Sequence, residues 1–110
     1  MWTPGPQYTI VSVKPTREPQ HKVKIEVEVT GFTDGDKPEL WLLLSNNDTP
    51  ATRFQEHHPH IHKGPASWQI SATFKLHEVD HGKKFVAAVG LLDATGETGS
   101  GVGSNPFTMP

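Results

Sequence analysis

The sequence predicts an all-β protein, an antiparallel sandwich of about seven short strands. Three observations carry that expectation. Apolar side chains recur with a period of two rather than 3.6 in several segments. Ten glycines and ten prolines in 110 residues supply turn chemistry between those segments. No apolar-periodic stretch is long enough, or free enough of prolines, to form a helix.

Taken in order, residues 8–13 form the first expected strand, bounded by Pro6 and by Lys14-Pro15. Residues 22–30 are the clearest: Val23, Ile25, Val27 and Val29 alternate with Lys24, Glu26 and Glu28, as one buried and one wet sheet face require. Gly31 and the run Thr33-Asp34-Gly35-Asp36-Lys37-Pro38 then provide a turn. Residues 40–44, Leu-Trp-Leu-Leu-Leu, are apolar on both faces and read as a central strand with Trp41 and Leu43 covered by neighbouring chain. A short, weaker strand is expected at 53–56 around Phe54. Residues 66–75 alternate again, with Trp68, Ile70, Ala72 and Phe74 on one face. Residues 78–82 read as a polar hairpin turn, 85–92 as a largely buried strand and 105–108 as a last short strand. Between those two, the Gly-, Thr- and Ser-rich residues 93–104 are expected to be a loop.

The order Gly31, Leu40-Trp41-Leu42, a His/Pro-rich segment leading to Gly64 and Trp68, then Gly82-Lys83-Lys84-Phe85 and a Val/Ala/Leu strand resembles an immunoglobulin-like (fibronectin-III-like) accessory domain of multidomain prokaryotic proteins. The resemblance spans roughly residues 23–92. It implies an immunoglobulin-like sandwich and a binding or spacer role, and it carries over no catalytic residue. One domain is expected over residues 1–110, with an ordered core at about 7–108.

Composition narrows the function classes. A net charge of −2 and a pI near 6.4 offer no basic field, so neither nucleic acid nor an acidic membrane is an expected partner. Protonating all seven histidines moves the balance from −2 to +5, so surface electrostatics should respond to mild acid. Zero cysteines exclude a disulfide framework, thiolate ligands and a cysteine nucleophile. Residues 1–6 lack the charged and apolar regions of a signal peptide, and with no cysteine this favours the cytoplasm.

Four of the seven histidines fall in Glu56-His57-His58-Pro59-His60-Ile61-His62, a histidine-rich loop or edge. In an extended chain His58, His60 and His62 point to one side, and His60-Ile61-His62 is an H-x-H pair suited to Zn²⁺, Ni²⁺ or Cu²⁺. Two ligands bind weakly. A third would have to come from Glu56, His57, or the turn bearing His77, Asp80 and His81. The alternative is a set of solvated surface histidines, for which Pro59 and Pro65 argue.

Other chemistry is less marked. Gly99-Ser100-Gly101 lacks the strand and helix of a nucleophile elbow, and no helix follows it to receive a phosphate. Asp34, Asp36 and Asp93 have only generic spacing for Ca²⁺, and the first two are turn residues. Trp41 and Trp68 are expected in the core, leaving Trp2 as the exposed indole and a poor sugar platform by itself. The expected function is therefore a non-enzymatic module that binds a protein partner or spaces neighbouring domains of a larger chain, without a cofactor. Residues 57–62 and 94–104 are the expected contacts. The alternative is a small protein that binds a divalent transition metal through His60 and His62 with His58, His77 or His81.

Overall fold

A computed structural model describes residues 8–45, 51–92 and 99–110. Nine strands lie among them: β1 (Thr9–Glu18), β2 (Lys22–Thr30), β3 (Glu39–Leu44), β4 (Ala51–Glu56), β5 (His60–Lys63), β6 (Trp68–Lys75), β7 (Lys84–Leu92), β8 (Gly99–Gly103) and β9 (Phe107–Thr108). One sheet runs β1-β2-β6-β5 and the other β4-β3-β7-β8, with β9 also pairing β7. Every pairing is antiparallel. With consecutive strands divided in this way, the two sheets follow the immunoglobulin strand order.

The count is nine rather than about seven because β5 and β8 have little apolar signature. β5 has one apolar residue, Ile61, and forms by pairing its backbone with β6. β8 is Gly-Ser-Gly-Val-Gly, a composition with poor strand propensity, held in register against residues 88–92. Its glycines permit close packing: a Cβ at Gly101 would lie 3.0 Å from the Val89 carbonyl oxygen, and one at Gly103 would lie 3.3 Å from Val86 Cγ1. Residues 99–103 are thus a strand and not part of a loop, while 93–98 lie outside the described residues. β1 likewise continues past Pro15, which pairs with Ile25. An edge strand tolerates a proline because its outward N–H has no ladder partner to lose.

Alternation in β2 places Val23, Ile25, Val27 and Val29 inside at 0% exposure, facing Leu40 and Leu42 of β3 and Phe85, Ala87 and Val89 of β7 across a single core. Each such side chain contributes about 1.5–3 kcal/mol by burial. Trp68 is buried as expected and closes one pole, where Tyr8 stacks on Phe32 at 4.1 Å and Phe32 on Trp68 at 5.7 Å. Trp41 differs from expectation. Since Leu40 and Leu42 face inward, the period of two turns Glu39, Trp41 and Leu43 to the outer face, where Trp41 is only half-buried.

The opposite pole holds the β1–β2 turn and the β6–β7 connection. The latter contains one 3₁₀ turn, Glu78–Asp80, instead of a plain hairpin turn. Tyr8 lies at Trp68's pole, and Pro110 lies at the other, where Met109 bonds with Lys83 and Gly82.

Candidate functional site

The histidine segment links the two sheets. β4 ends at Glu56 in one, residues 57–59 cross the open side of the sandwich, and β5 begins at His60 in the other. Pro59 is buried and pins the crossing, while His57, His58, His60 and His62 are exposed. β5 is an edge strand whose register sets His60 opposite Ser71 and His62 opposite Gln69. The same rows continue into β2 at Glu26 and Glu28. Side chains from three strands therefore share one outward, polar sheet face.

Two shallow hollows lie on that face. His58 and His60 border one of about 410 Å³ together with Glu56, Lys24, Ser71 and Thr73. His60 and His62 border the other, about 320 Å³, with Lys24, Glu26, Gln69 and Ser71. They share Lys24, His60 and Ser71, so the two join into one trough across the sheet. Lys24 Nζ lies 3.0 Å from Glu26 Oε1, both half-exposed. Each protonation of His58, His60 or His62 adds a positive charge to a trough that otherwise holds one lysine against Glu26 and Glu56.

The extended backbone of β5 thus places His60 and His62 side by side, while the bend at 57–58, not a continuous strand, brings His58 beside the same hollow as His60. The other sequence candidates go elsewhere. His57 Nδ1 lies 2.6 Å from Glu39 Oε1 on the outer face of the second sheet, where Gln55 Nε2 also donates to the same oxygen at 3.0 Å. His77 donates its backbone N–H to Asp80 Oδ2 at 2.9 Å, and Arg53 Nη2 is 3.4 Å from Asp80 Oδ1. His81 Nδ1 sits 2.6 Å from the main-chain oxygen of Pro110, with its ring 5.8 Å from that of His21 and its Nε2 buried without a partner. His77 and His81 follow the end of β6, four strand residues and about 13 Å beyond Ser71. They do not join His60 and His62. Among the described residues no three His, Asp or Glu side chains converge as a metal-binding group.

Of the acidic candidates, Asp36 caps its own turn, accepting from Thr33 N at 2.8 Å, and Asp34 lies 3.7 Å from Lys63 Nζ. Asp93 and Trp2 fall outside the described residues, as do 94–98 of the expected contact segment. Two features were not anticipated from sequence: the Gln55–Glu39–His57 network and the Arg53–Asp80 pair. The first follows from strand register, since the β3–β4 pairing of Leu40 with Glu56 carries Glu39 toward His57. No family model, curated protein or solved structure matches the chain.

Proposed function

We propose that this protein is a non-enzymatic interaction or spacer module, related to the immunoglobulin-like accessory domains it resembles, whose contact surface is the histidine trough on β5. One observation carries the reading. A short edge strand and the crossing before it present His60 and His62 with His58 around a single trough with Lys24 and Ser71, and these groups recognise polar or acidic side chains.

The test is affinity capture followed by crosslinking with the intact chain and with residues 57–62 replaced by Gly and Ser. A partner retained by the first and lost from the second, with both equally folded, supports the proposal. Identical retention would overturn it.

A second reading, divalent metal binding, is favoured by one observation: His60 and His62 lie on one face of one strand and border the same hollow. After dialysis against a chelator, one equivalent of Zn²⁺ should raise the melting temperature by mass action. That rise should vanish when His60→Ala and His62→Ala are combined. No rise in the wild-type chain removes this reading.

A further inference from the structure

Among the described residues, the opposite side of the sandwich, where β1 of one sheet approaches β8 of the other, is open. Among the described residues β1 pairs only with β2 and β8 only with β7. Between them runs a groove of about 520 Å³. Its apolar lining includes Ile10, Val13, Val102 and Phe107, which are partly buried and pack against the core, so the groove floor is the margin of the core itself. Val11 stands at its rim, 56% exposed, where β1 skips a residue between Ile10 and Ser12.

Charge sets this rim apart from the other edges. An unpaired strand edge invites pairing with another chain, and charged side chains or prolines ordinarily block it. β5 follows the rule with Pro59 before it and Lys63 within it, β4 with Arg53 and Glu56, and the second half of β1 with Lys14, Pro15 and Arg17. The groove breaks it: neither its β1 side, Tyr8 to Val13, nor its other side, Val102 to Phe107, carries a charged residue. Gly101 and Gly103 also leave the β8 backbone without side chains to screen it.

From this we infer that the groove accepts an extended segment of a partner polypeptide, uncharged and with aliphatic side chains at alternate positions, which adds to β8 as a further strand. β8 is the pairing edge because its register with β7 is unbroken over residues 99–103. The bulge at Val11 interrupts the regular donor and acceptor spacing of β1. Alternate aliphatic side chains of the added strand would rest on Val102, Ile10 and Phe107, and backbone hydrogen bonds would supply the rest of the affinity. Residues 9–13 of β1 span about 16 Å at roughly 3.3 Å per residue, a length that accommodates about five residues of added strand. The surface is separate from the histidine trough, so the two proposals stand or fall independently.

The probe is a labelled, acetylated and amidated Thr-Val-Thr-Val-Thr-Val-Thr peptide, compared with a peptide of the same composition in which the valines are contiguous. Binding is followed by fluorescence anisotropy and by amide shifts of the isotope-labelled 110-residue chain. The alternating peptide is expected to bind at least tenfold more tightly and to shift amides of 99–105 most. Methylating alternate peptide nitrogens in one phase should abolish binding, and in the other phase should spare it. Val11→Lys, at an exposed position, should weaken binding at least tenfold at an unchanged melting temperature, whereas His60→Ala should have no effect. The inference is overturned by equal binding of the two peptides, by indifference to methylation phase, or by shifts confined to β5. It is also overturned if no peptide binds, including the case in which the chain self-associates through this edge and Val11→Lys abolishes that, which would make a second copy the occupant.

Discussion

Asp80 offers the sharpest test of how the β6–β7 connection is held. Asp80 is 1% exposed, and among the described residues its carboxylate meets the His77 backbone N–H at 2.9 Å and the Arg53 guanidinium at 3.4 Å. At that separation two unit charges attract by about 5 kcal/mol if the effective dielectric is about 20. The Arg53 side chain is 39% exposed, so solvent screening must reduce this well below the buried limit. Removing one partner of a fully buried pair costs about 3–5 kcal/mol, and a surface pair is worth about 0.2–1. With one end buried and one end wet, Arg53→Ala should cost about 2 kcal/mol. Asp80→Asn keeps an acceptor for the His77 N–H and removes only the charge, so a cycle with Arg53→Ala isolates the pair. The expected coupling is about 1–2 kcal/mol, from urea unfolding followed by Trp68 fluorescence. A coupling below about 0.3 kcal/mol would show that Asp80 is held by its turn alone and refute the assignment of Arg53 as its counter-charge.

Two further predictions concern the sandwich itself. Ile25→Ala, at a fully buried position in the middle of β2, should lower unfolding free energy by about 2–5 kcal/mol in denaturant titration with an unchanged slope. In a Trp2→Phe background, a chain retaining only Trp68 should emit at shorter wavelength and resist acrylamide quenching more than one retaining only Trp41, because Trp68 is buried between Phe32 and Lys63 while Trp41 lies on an outer face. Equal quenching of the two would contradict the register of β3.

Strands whose burial depends on their own side chains were legible in the sequence. Lys22–Thr30 and Trp68–Lys75 announce their inward faces by strict alternation, and the second begins two residues later than expected only because Ala66 and Ser67 belong to the turn closed by Gly64 N and Ser67 O. His60–Lys63 and Gly99–Gly103 were not legible, since each has almost no apolar alternation of its own and exists through backbone pairing with the adjacent strand. Trp41 misled for a related reason. Five consecutive apolar residues carry no phase, and only pairing with β7 decides which of them face outward. At the candidate site, the proximity of His60 and His62 could be read from their spacing. The destinations of His57 and His81 could not, because Glu39 and Pro110 meet them through tertiary register, while His77 is tied to Asp80 within its own turn.

The placement of Tyr8 and Pro110 at opposite poles has a mechanical consequence. Tension applied between them acts along the strand axes, so β1 must slide lengthwise past β2 and all nine of its paired positions resist together. β9 has only two such pairs, with Lys84 and Phe85, and it lies nearest the other point of load. Under a steady pull the C-terminal end therefore yields first, releasing Met109 from Lys83 and Gly82 while the shear-loaded β1 hairpin still holds.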